Sequence, residues 1–441
     1  MDKSHWNELC DEITNIFNTL KSNNNGEVAS YIPQLAKVNP NLFGISVYSI
    51  DGKSFNIGDT NESFCIQSCS KTLTYAVALR DNGVDKMCKH IGREPSGARF
   101  NAFVFDDDNK PFNPLINSGA IMAASLIKSN QTEDERFEYI VDIWKSIVGK
   151  NNVGFDNPVY LSEKRSANRN HALAHIMMEN KIFPENTNIN TTLELYFQLC
   201  SITMNSESLS KYAAMLANGG TTVDTKMKVF DPIIVRDLLC IMYTSGMYDY
   251  SGRWSFDIGL PSKSGVSGAI FAVIPNIGGI CVYSPKLDNL GNSVKGVEFF
   301  KLLTKKYKIH IFDTLISGLN EKKSITKCSD IDMDSIFDAC KNNDYQYLND
   351  TLYNYNYDIN KGDYDNRRPL HIATDDNSYL AIYLLLQYGA DYKLTDRWEQ
   401  SFHKKMVSNK DSKLASCLLL HYKCLLAKYI AFEKIKCNDY S

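Results

Sequence analysis

Phe64-Cys65-Ile66-Gln67-Ser68-Cys69-Ser70-Lys71, followed by the apolar run Thr72 to Leu79, decides how this chain is read. Ser68 and Lys71 form an S-x-x-K pair. On a helix, positions three apart share a face, so the lysine amine can reach the serine hydroxyl and take its proton. The helix N-terminus also leaves backbone N–H groups unpaired where a tetrahedral oxyanion would form. A serine hydroxyl is a poor nucleophile without a base beside it. Alone, the pattern is short, and a helix N-cap accounts for Ser68 as well. A second motif, Lys263-Ser264-Gly265, shifts the weight towards chemistry. It lies far along the chain in an apolar, strand-like stretch.

Composition narrows the classes. The chain has 441 residues, 44% hydrophobic and 22% charged, ordinary for a globular protein and long enough for two or three domains. A net charge of −3 gives no electrostatic reason to expect nucleic acid or an anionic membrane as partner. Twelve cysteines include no C-x-x-C pair and no zinc spacing, so free core thiols are expected, with neither metal nor cofactor. Met1 to Trp6 lacks a secretory apolar region, and Asp2, Glu8, Asp11 and Glu12 argue against an Arg-rich transit peptide. No apolar run approaches the roughly 20 residues that span a bilayer. A cytoplasmic protein is expected, with a mitochondrial one as the alternative that lacks a clear transit peptide.

The pattern along the chain reads as α+β. Residues 3–21 form an amphipathic helix. Phe43 to Ile50 and Ser54 to Ile57 form a hairpin around Asp51-Gly52. Helices are expected at 116–128, 133–148, 162–180, 190–201, 206–217 and 231–244. Lys263 to Ile274 reads as one strand, Gly279 to Tyr283 as the next, and Val294 to Tyr307 as a closing helix. Early and late strands thus flank a long helical insertion and would share one sheet.

Beyond a polar stretch at 319–330 the sequence repeats. Arg368-Pro369-Leu370-His371-Ile372-Ala373 resembles the ankyrin turn-to-helix motif. Helix-like segments begin one 33-residue period earlier, at Ser335-Ile336-Phe337, and one later, at Ser401-Phe402-His403. The cluster Leu384-Leu385-Leu386 recurs at Cys417-Leu418-Leu419. His371 in this motif implies a structural hydrogen bond.

A serine helix with a distant K-[ST]-G strand is similar to the sites of penicillin-binding proteins and class A β-lactamases. Further segments specify the resemblance: Tyr31-Ile32-Pro33-Gln34-Leu35-Ala36, Glu94-Pro95-Ser96-Gly97, Asn113-Pro114-Leu115-Ile116-Asn117-Ser118-Gly119-Ala120, Ser162-Glu163 with Asn168-Arg169-Asn170, Tyr196-Phe197-Gln198-Leu199-Cys200-Ser201, Leu216-Ala217-Asn218-Gly219-Gly220, Gly246-Met247-Tyr248-Asp249 and Gly259 to Val266. In this order they resemble the serine-dependent glutaminases, over about residues 28 to 310, and the repeats resemble the tail of the animal kidney/liver type. The resemblance implies a β-lactamase/transpeptidase-like sheet with a large helical insertion, followed by an all-α ankyrin segment. It implies hydrolysis of L-glutamine to L-glutamate and ammonia, with Ser68 as nucleophile, Lys71 as base, Tyr248 as proton relay and Lys263 in support. Tyr31, Gln67, Asn117, Glu163, Asn170, Tyr196, Tyr248 and the backbone of Val266 would surround the substrate. A carboxylate such as Glu163 suits an α-ammonium, and Asn and Tyr donors suit an α-carboxylate.

The expected division is an N-terminal helical extension (1–27), a catalytic domain (28–318), a linker (319–330), about three repeats over 331–425 and a tail (426–441). Homodimers pairing into homotetramers, and protein contacts through the repeats, are implied by the resemblance. Ala102 stands where kidney-type relatives carry a lysine, so a weak response to phosphate is expected. Two rival readings stay open: a β-lactam-type acyl-serine hydrolase, which the absence of S-D-N disfavours, and a pseudoenzyme scaffold.

Overall fold

In a computed structural model the described residues are 3–313, 322–323, 333–354, 357–409 and 420. They fall into two compact units, residues 3–313 with 322–323 and residues 333 onward.

The first unit is organised by an antiparallel sheet of β1 (Gly44–Ser49), β2 (Ser54–Gly58), β3 (Ser262–Gly265), β4 (Ala269–Ile274) and β5 (Gly278–Tyr283), in the order β2-β1-β5-β4-β3. Strands from both ends of the unit pair directly: Ile45 lies opposite Val282 and Val47 opposite Ile280. β1, β4 and β5 are buried on both faces. Alternate residues of β4 go to opposite cores, as a period of two requires. Ile270, Ala272 and Ile274 meet the helices Lys3–Lys21 and Val294–Lys306 through Ile13, Phe17, Phe300 and Leu303. Ala269, Phe271 and Val273 join the core that holds Leu73, Trp144, Phe197 and Tyr212.

Three expectations change. The N-terminal helix, set apart at residue 27 by its sequence, buries Trp6, Leu9, Ile13 and Leu20 in the sheet's own core, and Glu27–Val28 pairs with Lys286–Leu287. It belongs to the first unit rather than extending from it. The stretch 263–274 is two strands, because Gly268 N–H donates to Gly265 O at 2.9 Å and turns the chain at Val266-Ser267. Gly265, Ser267 and Gly268 are turn signals that a reading of 263–274 as one strand passes over. The stretch 162–180 is likewise two helices, Asn157–Arg165 and Asn168–Glu179. Asp156 caps the first by accepting from Val159 N–H at 2.9 Å, with Pro158 in its opening turn.

Part of the segment assigned as linker belongs to the first unit: Lys322 Nζ donates to Asp313 Oδ1 at 2.9 Å. Its other residues lie outside the described ones.

The second unit is all-helical: Met333–Lys341, Tyr345–Asn354, Pro369–Asp375, Tyr379–Gln387 and Phe402–Asn409, around Ile336, Cys340, Leu348, Leu370, Ala373, Leu385 and Phe402. Two turns one 33-residue period apart have the same wiring. Asp363 Oδ1 accepts from the N–H groups of Asp365 and Arg367, and Asp396 Oδ1 from those of Trp398 and Gln400. Asn366 and Glu399 take the left-handed conformation at φ 60° and 59°. His371 spans the two turns. Its Nδ1 accepts from Arg368 N–H at 3.1 Å, so Nε2 carries the proton and donates to Leu394 O and Gln400 O at 3.1 and 3.2 Å. The expected recurrence at Cys417-Leu418-Leu419 and the tail at 426–441 lie outside the described residues.

Candidate active site

The nucleophile segment is a short strand, Phe64–Cys65, a 3-10 turn, Gln67–Cys69, and the helix Ser70–Asn82. Ser68 therefore precedes the α-helix and sits in the turn, at a position whose N–H has no intrahelical acceptor. Gln67 holds the left-handed conformation, φ 48°, a strained state for a side chain of its size. Ser70 Oγ donates to Gln67 O at 2.8 Å and Thr72 Oγ1 to Cys69 O at 2.8 Å, which fixes the turn. Ser68 is 8% exposed.

Beneath it lie two buried amines. Lys71, 2% exposed, donates to Asn117 Oδ1 at 2.7 Å and Leu115 O at 3.4 Å. Asn117 Nδ2 donates in turn to Asn170 Oδ1 at 3.0 Å. Lys263, 0% exposed, donates to Ser264 O at 2.6 Å and stands 4.5 Å from the centre of the Tyr248 ring. Burial pulls the Lys71 pKa down to about 8, with Cys200 and Glu163 opposing. Burial, and then the charge of Lys71, pull Lys263 down to about 7. Desolvation is the larger cause for both amines.

Backbone packing joins the two motifs. An added Cβ at Gly265 would lie 3.0 Å from Ile66 O and 3.2 Å from Cys69 Sγ, so β3 rests directly on the nucleophile turn. The β3–β4 turn presents Val266, whose N–H donates to no group among the described residues.

Above Ser68 is a cavity of about 330 Å³. Eight of the sequence-predicted residues line it: Tyr31, Gln67, Ser68, Asn117, Glu163, Asn170, Tyr196 and Val266. Glu163 Oε1 accepts from Tyr31 OH at 2.6 Å and Gln67 Nε2 at 3.1 Å. Burial raises its pKa, and those hydrogen bonds hold the rise back. The helix break at Ser166-Ala167 sets Glu163 and Asn170 on this one cavity. Tyr196 is buried beside Cys200, and its pKa lies well above the ordinary phenol value for the same reason.

Tyr248 does not line this cavity; it forms a partition beside it and lines a second one. Its φ is 53°, and its ring meets Phe100 at 4.9 Å. Its hydroxyl is buried, with no hydrogen bond of full geometry, and faces Ser68. Burial raises its pKa and Ser68 opposes.

Sequence reasoning missed Phe100, Arg169, Cys200 and Ser70. Phe100, Arg169 and Cys200 line the cavity, and Arg169 donates to Asn101 O at 2.8 Å while lying 4.6 Å from the Phe103 ring centre. The Asn168-Arg169-Asn170 motif pointed to the neighbourhood without separating its members. Among the described residues no group of three or more His, Cys, Asp or Glu could hold a metal ion, and no helix is long and apolar enough to cross a membrane.

These contacts supply a buried hydroxyl, low-pKa amines, unpaired N–H groups and a carboxylate across one small cavity, the parts of an acyl-transfer site. The sequence model of the family described as Glutaminase matches residues 26–312. The mouse protein described as "Glutaminase liver isoform, mitochondrial" is 36% identical over 397 residues, covering 89% of this chain and 66% of its own length. The chain thus spans about two thirds of the animal relatives it matches. The "Glutaminase" of Nostoc sp. is 41% identical over 70% of this chain and 92% of its own. A solved structure described as "Probable glutaminase ybaS" aligns with a TM-score of 0.66 at 31% identity, over 71% of this chain and 99% of that one. The chain belongs to the glutaminase family.

Proposed function

We propose that this protein hydrolyses L-glutamine to L-glutamate and ammonia through a γ-glutamyl ester on Ser68. The observation that carries the reading is that Ser68, Glu163 and Asn117 line one cavity while the buried Lys71 hydrogen-bonds that same Asn117. Ser68 Oγ attacks the side-chain carboxamide while its proton passes to Lys71. With a pKa of about 8, roughly a tenth of Lys71 is neutral at pH 7, far more than a solvated lysine offers. The N–H groups of Ser68 and Val266 receive the oxyanion, a contribution of about 3–4 kcal/mol per donor. Tyr248 relays the proton to the leaving nitrogen. Ammonia departs, and water cleaves the ester.

Glu163, with Tyr31 and Gln67, holds the α-ammonium. Asn117, Asn170 and Tyr196 hold the α-carboxylate. The helical second unit is of the ankyrin type, supported by its motif at Arg368 to Ala373 and its paired turns, and it offers surfaces to other proteins. Homodimers pairing into homotetramers complete the assembly, without nucleic acid or membrane as partner. The eight described cysteines are free thiols, which suits a reducing compartment such as the cytoplasm.

A coupled glutamate assay with glutamine and asparagine tests the reading. Wild-type protein should release glutamate, Ser68→Ala should not, and rapid quench should trap a γ-glutamyl adduct on Ser68. Turnover in Ser68→Ala would overturn the scheme.

A further inference from the structure

We infer that the second cavity, behind the Phe100–Tyr248 ring pair, is the route by which ammonia leaves Ser68 and by which small uncharged or cationic nucleophiles reach it. This rests on the hydrolase reading above. The cavity, of about 340 Å³, is lined on one side by Phe100, Leu115 and Tyr248, and on the other by Ala98, Asp249 and Gly252 among others.

Geometry supports a shared wall. Phe100 lines both cavities. Tyr248 gives its ring to the second cavity while its buried hydroxyl faces Ser68. Leu115, also on the second cavity, accepts a hydrogen bond from Lys71 through its carbonyl. Tyr248 and the carbonyl that binds Lys71 therefore stand on the second cavity's wall nearest Ser68. The two rings touch at a tilt of 46°, and movement of Phe100, which lines both cavities, is the motion that would connect them.

Timing supplies the need. When the tetrahedral adduct collapses, the C–N bond breaks and its electron pair stays on nitrogen. Nitrogen gains the relayed proton and becomes NH3, and the γ-glutamyl ester remains on Ser68 Oγ. The acyl chain still lies in the first cavity at that moment, so an exit behind the ring pair lets ammonia leave without passing it. Charge separates the routes further. The first cavity carries Glu163 and Arg169 and suits a zwitterion, whereas among the described residues Asp249 is the only formally charged one lining the second. An acid there favours ammonium and disfavours glutamate.

The route runs both ways, so hydroxylamine can probe it. Its nitrogen attacks the ester carbonyl, Ser68 Oγ leaves with the proton, and γ-glutamyl hydroxamate forms in competition with glutamate. Gly252 lines the cavity, and an added Cβ there meets nothing within 4 Å, so Gly252→Leu fills the space without a backbone clash. Ala98→Trp fills it from the other wall. In either variant the hydroxamate-to-glutamate ratio should fall about tenfold while the KM for glutamine stays within about twofold. An unchanged ratio in both variants, each holding its KM, would overturn the route and leave the hydrolase reading intact. Wild-type protein forming neither product would overturn the hydrolase reading first, and the route with it.

Discussion

The two units of this molecule solve opposite problems. In the first, residues as far apart in sequence as Tyr31, Ser68, Glu163 and Val266 line one cavity, and two ammonium groups are buried with little to offset their desolvation. In the second, one turn is wired identically at Asp363 and Asp396, and its titratable histidine is satisfied at both nitrogens. Reactivity is built where burial opposes charge. Regularity is built where each polar group finds its partner nearby.

The sharpest test of that contrast is Lys71→Met. We expect kcat/KM to fall by about 10³–10⁴-fold, with stability of the first unit held or raised at neutral pH. The sign follows from linkage. Unfolded Lys71 binds its proton up to its ordinary pKa of 10.5, and folded Lys71 releases it near 8. The cost, roughly 3 kcal/mol, is fully present below the folded value and fades as pH rises towards the unfolded one. Denaturant titrations of both proteins at neutral and alkaline pH measure it; a strongly destabilised, inactive variant at pH 7 would erase the contrast.

The same amine sets a pH profile. Between about pH 5 and 7, kcat/KM should climb close to tenfold per unit as Lys71 becomes neutral, and the rise should flatten through about pH 8. A flat profile would remove Lys71 as the base.

His371→Ala probes the other unit. Loss of the two-turn bridge should destabilise it by about 2–3 kcal/mol, with glutamate release unchanged. In the parent protein burial lowers the His371 pKa, so the unfolded chain binds more protons near the ordinary value of 6.5. The second unit should therefore weaken as pH falls through that region. Separate melting transitions followed against pH would show it. A loss of turnover in His371→Ala would mean that the units are not independent.

The smallest effect concerns phosphate. Ala102 lies between Asn101, held by Arg169, and Phe103, stacked on the same guanidinium. With no lysine at 102 to draw an anion, added phosphate should change turnover by less than about twofold. A many-fold rise would place the anion's target elsewhere.

Much of this was legible in the sequence because the chemistry is local in type. S-x-x-K, K-S-G and the Asn and Tyr motifs mark their own positions, and the strand pattern marks the sheet that joins them. Two breaks were read through. The turn at Val266-Ser267 lies among Gly265 and Gly268, which signal it, whereas the helix break at Ser166-Ala167 lies in the polar stretch Ser162 to His171, where no apolar period marks either helix; both breaks aim site residues. Phe100, Arg169 and Cys200 matter only through neighbours distant in the chain. Ser70 binds the Gln67 carbonyl through both its N–H and its hydroxyl, a contact the motif alone does not mark. The extent of the pKa lowering at Lys71 and Lys263 depends on desolvation, which spacing does not record.

Glu163 lies in the last turn of its helix, Asn157–Arg165, where the backbone dipole disfavours an anion. The groups that hydrogen-bond it, Tyr31 and Gln67, are neutral, and no described side chain forms an ion pair with it. A ligand bearing a free primary amine completes that electrostatic circuit on arrival. Glutamine acylated at nitrogen, or locked inside a peptide, brings no such charge, so this carboxylate alone would confine the enzyme to the free amino acid.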